Sequence, residues 1–418
     1  MKSLQKRMKR IMISIIHLSG RIKTINDYQY SYRQYMMKNN YKVNIQIFKE
    51  YKNFRIQPWR FYVQLGFLIL TIWIGIEFYI FVNQLEQGIV PLISRPAGVE
   101  AFLPISALIS FKYWILTGIF NTIHPSALVL LLIFGFISIL LKKGFCSWIC
   151  PIGLLSEILA KLHIKIFDRQ FKLPKILDNP LRSLKYLLLL FFVWAIFWEM
   201  NEEALKNFIY SPYNRIADIK MLHFFTHISE TTLWTLAILF GLSLALPYFW
   251  CRYLCLYGAL MGALSWLSPF KIRRNTDTCT DCKLCTKACP ANILVHKEKT
   301  VFSDECHACL KCVDVCPVKD TLHLSALKHR YPLSRKIYAW ILVAIFLSGI
   351  AIAKISGVWN NRIGHEEYLF HIKRLEGAEY FHNQGNVPDY DKQKWQPDTN
   401  SENFTPQQEG AIDAENSK

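Results

Sequence analysis

Eight of the twelve cysteines lie in two short runs that share one spacing. Cys279, Cys282, Cys285 and Cys289 fall in CTDCKLCTKACP; Cys306, Cys309, Cys312 and Cys316 fall in CHACLKCVDVCP. Each run reads C-x2-C-x2-C-x3-C and ends in proline. The other four form two i,i+4 pairs, Cys146/Cys150 and Cys251/Cys255, so no cysteine is left over. Thiols in metal-ligand spacings within 418 residues are not the disulfide framework of a small secreted domain.

A cube of four irons needs four thiolates arriving from different directions, which one turn of helix does not supply. Gaps of two residues wrap three sulfurs around one corner, and the fourth, ahead of the proline, serves the neighbouring cluster, as in bacterial two-cluster ferredoxins. Cys279, Cys282, Cys285 and Cys316 are therefore expected to hold one [4Fe–4S] cluster. Cys306, Cys309, Cys312 and Cys289 are expected to hold a second. Zinc also uses C-x2-C pairs, but four zinc ligands explain neither the third cysteine of each run nor the two Cys-Pro endings. The 16 residues between Cys289 and Cys306 suit a short strand-and-turn linker.

The rest of the chain is written for a bilayer. Residues 61–82 carry no Lys or Arg and would span about 33 Å as a helix, enough for a hydrocarbon core. Similar stretches at 124–141, 186–200, 232–250 and 337–353 predict about five transmembrane helices; the third draws on Ser183 and Leu184, with Lys185 snorkelling. Segments 1–60, 142–185 and 251–336 hold 37 of the 49 Lys and Arg. This asymmetry places them in the cytoplasm of a bacterial inner-membrane protein and accounts for the net charge of +18 without nucleic acid. Residues 101–120 contain Pro104 and Lys112, and a span there would export the basic 142–185 loop. They read as a re-entrant or interfacial element on the outer side, with Tyr113 and Trp114 at headgroup level.

The expected fold class is mainly α: a multi-pass membrane helical protein with a cytoplasmic two-cluster ferredoxin-like α+β domain. Its parts are a basic N-terminal segment (1–60), a membrane core bearing both CxxxC motifs (61–270), the ferredoxin domain (271–330), a last membrane helix (331–353) and an outer polar tail (354–418), disordered from about residue 383. In the first segment IMISIIHLS has no signal-peptide cleavage site after it and suits an interfacial helix, while Met36 and Met37 offer later translation starts.

FGFISILLKKGFCSWICPIGLLSEIL aligns with FGLSLALPYFWCRYLCLYGALMGAL, offset by one residue. Aromatic-Cys-x3-Cys-x2-Gly closes both copies. On a helix, residues i and i+4 share a face, so pairing of the copies about a pseudo-twofold axis would bring Cys146, Cys150, Cys251 and Cys255 together. They could then ligate an extra metal centre or perform thiol redox chemistry beside a quinone; small buried cysteines that only pack helices are the bland alternative.

These features resemble the membrane-bound polyferredoxins that include NapH and the membrane core of NosR. The likeness covers roughly residues 55–335 and rests on helices ending in C-x3-C(-P), followed by a two-cluster ferredoxin. RPAGVEAFLPISALISFKYW is also similar to an outer-loop signature of that family. Leu256 stands where the family has proline, and the flavin-binding outer domain of full NosR is missing. The resemblance implies electron transfer between the quinol pool and respiratory partners, periplasmic or membrane-bound. A CcoG-like accessory metal reductase and a redox sensor are the alternatives; no recognisable output module favours the sensor.

Glu77, inside the first membrane stretch, is a candidate proton acceptor for quinol oxidation or a snorkelling residue. His124, His223 and His227 read as scattered interfacial histidines rather than haem ligands, and no C-x-x-C-H occurs. Nucleotide-binding motifs are also missing.

Overall fold

The computed structural model describes residues 57–168, 171, 173–326, 331–375 and 380. The expected N-terminal interfacial helix and the disordered tail lie outside the described residues.

Prolines open many of the helices, because proline at the first helical position loses no intrahelical bond and has its φ preset. In chain order the helices are α1 (Pro58–Glu86), α2 (Pro104–Thr117), α3 (Pro125–Leu141), α4 (Gly144–Trp148), α5 (Pro151–Phe167), α6 (Lys175–Trp194), α7 (Glu202–Tyr210), α8 (Pro212–Arg215), α9 (Ala217–Thr226), α10 (Glu230–Ala245) and α11 (Leu256–Leu264). Strand β1 (Lys271–Arg274), α12 (Leu284–Lys287), α13 (Lys311–Asp314), β2 (Leu322–Ala326) and β3 (Tyr331–Leu333) follow, then α14 (Arg335–Ile355) and α15 (His365–Ile372).

All five predicted membrane stretches are helical, but they differ in reach. Pro58–Glu86, Ile176–Glu199 and Arg335–Ile355 are long and apolar enough to cross a membrane, and α9 with α10 makes a fourth if that broken pair is one span. On α1, Ile69, Ile72, Trp73 and Ile76 face outward, a surface suited to lipid. Helix α3 has 17 residues, about 25 Å at 1.5 Å per residue, short of a core of about 30 Å. Helix α2 is shorter still, with 14 residues and a stop at Gly118, whose φ of 71° closes the helix.

The chain forms two compact units. The first contains residues up to 74, 130–191 and 230–353, and so all twelve cysteines. Its aromatic core brings Phe134 against Phe145 and Phe346, and Phe67 against Phe346. The α+β part is an antiparallel sheet of order β1-β2-β3, with Ile272 opposite Leu324 and Leu324 opposite Leu333. Ile272 and Leu324 are buried.

The second unit contains residues 75–129, 192–229 and 354 onward. It is organised by buried charge. Arg95 donates to Glu100 (2.8 Å) and Asp218 (2.6 Å), and Glu100 also accepts from Ser126 Oγ (2.5 Å) and the Ala127 amide (2.9 Å). Burial would raise the Glu100 carboxyl, but Arg95, His124 and Ser126 hold it at about 2. Lys112 caps a helix end by donating to the carbonyls of Ile196 (3.1 Å), Phe197 (3.1 Å) and Met200 (2.5 Å). Tyr113 on the same helix is buried, on the face that packs inward with Ser106 and Ser110.

Candidate iron–sulfur sites

The two cysteine runs fold alike. In the first, Asp281 and Lys283 take positive φ on either side of Cys282; in the second, Ala308 and Leu310 do so around Cys309. Left-handed backbone at non-glycine residues costs of order 1–3 kcal/mol each and clusters where a ligand clamp needs it. The matched turns aim three thiols of each run inward, and α12 and α13 then carry the chain to the fourth.

That fourth thiol crosses over. Cys316 sits within electrostatic reach of Cys282, Cys285 and Cys279, and burial followed by those neighbours pushes it up to about 12. Cys289 lies with the other run: burial, then Cys309 and Cys306, pushes it up to about 12. One cavity is lined by Cys289, Cys306, Cys309 and Cys312, closed by Ile272 and Val301. Among the described residues no three His, Cys, Asp or Glu side chains gather tightly enough for a single metal ion.

The remaining cysteines also converge, by a route that the i,i+4 spacing did not foresee. Cys146 lies in α4, but Cys150 is outside it, in extended conformation (φ −62°, ψ 122°) as the N-cap of α5. In the second copy Cys251 lies in a π-helical turn and Cys255 (φ −68°, ψ 113°) caps α11. Pro151 pushes the residue before it out of the helical region. Leu256 makes no such demand, yet the geometry matches, since Cys255 Sγ accepts from the Gly258 amide (3.2 Å). Gly153 and Gly258 are repeat equivalents, and each sits against the carbonyl of the first cysteine of its pair. Thus the members of a pair do not share one helix face: a helix break separates them and points both inward.

Burial, with Lys143 opposing and Cys255 and Cys251 adding, pushes the Cys146 thiol up to about 12. Burial and then Cys255 push Cys251 up to about 11, and Cys150 is driven well above its ordinary value by burial, Cys146 and Cys251. Ser156 Oγ lies 3.3 Å from Cys251 Sγ.

Comparison with known proteins follows the same division. A model described as a 4Fe-4S binding domain matches residues 123–174 and 231–275, the two copies of the repeat. Another, described as a 4Fe-4S dicluster domain, matches residues 271–317. YccM of Escherichia coli (strain K12), named as a candidate electron transport protein, is 44% identical over 316 residues, 74% of this chain and 88% of that protein. The chain belongs to the membrane-bound 4Fe-4S polyferredoxins of NapH/NosR type. The ferredoxin-type protein NapH of Haemophilus influenzae is 28% identical over 184 residues, 42% of this polyferredoxin and 59% of its own length. NirI of Paracoccus denitrificans is 32% identical over 146 residues, covering 35% and 21%. No solved structure matches.

Within the first unit of this polyferredoxin, residues 142–148 dock onto the second cysteine run. Lys142 Nζ donates to the carbonyls of Val301 and Ser303 (both 3.1 Å), Ser147 Oγ to His307 O (2.5 Å) and Trp148 Nε1 to Ala308 O (3.1 Å). Trp148 lies against Tyr338, with ring centroids 5.2 Å apart, and both are fully buried. Tyr338 is within electrostatic reach of Cys306, Cys309 and Cys146. Glu157 of α5 pairs with Arg60 and with Lys311 (3.0 Å), which stands between Cys309 and Cys312. Against the upward pull of burial, Lys311, Arg60 and Lys161 hold that carboxyl far below its usual range.

Lys185 does not snorkel. Its Nζ donates to Glu305 Oε1 (2.5 Å) and its side chain is fully buried, because the residue before Cys306 brings a carboxylate to it. Tyr186 donates to the adjacent Asp304. Burial would lower the nearby Lys143 ammonium, but Glu305, Cys146, Cys255 and Asp304 together hold it above its ordinary value.

Sequence reasoning missed these partners, although the Lys142-Lys143 pair one glycine ahead of FCSWIC and the lone Lys185 were signals for them. His124 is buried; its Nε2 lies 2.5 Å from Asn214 O and its Nδ1 3.4 Å from Glu100 Oε1. His223 pairs with Glu86 (2.7 Å) and stacks edge-on against His227. Glu77 is half-buried and makes no hydrogen bond or ion pair among the described residues.

Proposed function

We propose that this chain carries electrons between membrane quinol and a respiratory redox partner, periplasmic or membrane-bound, through two [4Fe–4S] clusters. Cys279, Cys282, Cys285 and Cys316 hold the first; Cys306, Cys309, Cys312 and Cys289 hold the second. The observation that carries this reading is the exchange of fourth thiols, Cys289 toward the second run and Cys316 toward the first. Bound there, the clusters supply one-electron storage. The protein's own residues supply the clamp, the shield of Ile272 and Val301 around the second cavity, and the Trp148–Tyr338 contact toward the membrane helices.

In this reading five helices cross a bacterial inner membrane, with residues 1–60 and the ferredoxin domain (271–330) in the cytoplasm and the tail from residue 354 outside. The asymmetry of Lys and Arg supports that orientation.

The test is anaerobic purification with iron, sulfide and electron spin resonance measurements, followed by mixing with a quinol analogue. Cys316→Ser is expected to perturb only the first cluster's signal and Cys289→Ser only the second's. Loss of the reverse signals, stoichiometric zinc, or clusters that ignore quinol would refute the assignment.

A further inference from the structure

We infer that the cavity between the starts of α1 and α14 binds an anionic phospholipid whose head group carries a hydroxyl, of which phosphatidylglycerol is the simplest case. The cavity has a volume of about 350 Å³ and is lined by Gln57, Trp59, Arg60, Trp148, Arg335 and Lys336, a size within the range of small-molecule sites. All of these residues belong to the first unit.

Helix direction makes it an anion site. Lys336 Nζ stands 5.2 Å from the centre of the Trp59 ring, and further along Phe67 meets Phe346 at 5.1 Å, so α1 and α14 run parallel with both N-termini at the cavity. The positive ends of two helix dipoles meet there, together with amides that have no intrahelical acceptor. Acidic residues are favoured in such first turns. Neither first turn holds one; Arg60, Arg335 and Lys336 stand there instead. Glu157 pairs with Arg60, and Asp314 with Arg335 (2.5 Å). Lys336 meets no carboxylate among the described residues and lies over Trp59. The remaining charge is positive.

A buried acceptor sets the second requirement. Gln57 is 8% exposed; its Nε2 donates to Asp314, while its Oε1 has no partner among the described residues. A bare phosphate would bring this oxygen only another acceptor. A hydroxyl beyond the phosphate brings a donor. The phosphate itself then falls to Arg335, Lys336 and Ser334, whose Oγ accepts from the Ile337 amide (3.3 Å) and whose hydroxyl hydrogen remains to donate.

Position indicates a lipid as the source of that anion. Both helices are long and apolar enough to cross a membrane. Trp59, Tyr62, Ile337 and Trp340, in their first two turns, are exposed, as in the aromatic belt of a membrane interface. Basic pockets between membrane helices suit acidic head groups, whereas a neutral quinone ring would leave the surplus charge unanswered. Gln57 and Arg335 share Asp314, two residues after Cys312, and Trp148 donates to Ala308 (3.1 Å). A lipid held here thus fastens the second cysteine run to the membrane end of the helices.

The test is native mass spectrometry and tryptophan-fluorescence titration of the full-length protein in neutral detergent. Phosphatidylglycerol is expected to be retained, to change the fluorescence and to raise the melting temperature, while phosphatidylcholine does none of these. Lys336 is exposed, so Lys336→Gln should fold like wild type and bind phosphatidylglycerol about fivefold more weakly. Gln57→Leu should abolish the preference for phosphatidylglycerol over phosphatidylmethanol, which has the same charge but no head-group hydroxyl. Equal phosphatidylglycerol affinity in wild type and Lys336→Gln would overturn the inference. So would inorganic phosphate that fills the site as well as the lipid does, which would make it a site for soluble anions. A short-chain quinone that displaces the lipid and binds wild type and Lys336→Gln alike would assign the cavity to quinone instead.

Discussion

Replacing Lys185 with methionine tests whether the buried ammonium holds the ferredoxin domain in place. At 2.5 Å and an effective dielectric constant of 20, the pair attracts by about 7 kcal/mol before desolvation, which takes back several kcal/mol per ion. Removing one partner strands Glu305 and should cost about 3–5 kcal/mol. Lys143 lies close enough to answer part of that charge, so the lower end, about 3 kcal/mol, is expected. The assay is thermal or denaturant loss of cluster absorbance in detergent, run on K185M, E305Q and the double variant. Since the neutral pair no longer strands a charge, the double variant should recover about 2 kcal/mol relative to the sum of the singles. A K185M protein as stable as wild type, or strictly additive variants, would refute the reasoning and return Lys185 to a snorkelling role.

Two further outcomes follow from the same unit. Gly153→Ala should destabilise by about 3 kcal/mol or more, because backbone rather than a pliable side chain blocks the new methyl, whereas Gly258→Ala should cost about 1 kcal/mol; equal melting shifts would contradict this. Glu157, held below its unfolded value near 4.5, contributes stability that is fully present above that pH and lost as pH falls below it. Glu157→Gln should therefore be less stable at pH 7 and show a flatter stability–pH profile below about 4.5, measured by denaturant melts across that range.

The sequence made some of this structure legible because its signals are local. The C-x2-C-x2-C-x3-C spacing determines loop shape within a dozen residues, and the matched left-handed turns at Asp281, Lys283, Ala308 and Leu310 are its direct expression. The repeat was equally readable, down to its glycine. Other features depend on partners distant along the chain. Nothing near Lys185 announces Glu305, and nothing near Trp148 announces Ala308. Pro151 signals the helix break at Cys150, but the break at Cys255 was hidden because Leu256 makes no such demand and i,i+4 spacing suits an unbroken helix equally well. The reach of α10 was overestimated because apolar composition runs past the end of the helix, into the turn at 246–248.

The Lys185–Glu305 pair also constrains how the protein is made. The two residues are 120 positions apart, roughly 6–24 s of synthesis at 5–20 residues per second. Throughout that interval α6 holds, at the proposed cytoplasmic boundary of its membrane stretch, a lysine whose partner does not yet exist, so its charge must stay in water until Glu305 has been made. The helix should consequently remain loosely inserted, or in the keeping of a membrane insertase, until the second cysteine run has emerged. Ribosome-stalled chains ending before and after Glu305 would then differ in how readily α6 is extracted from the bilayer.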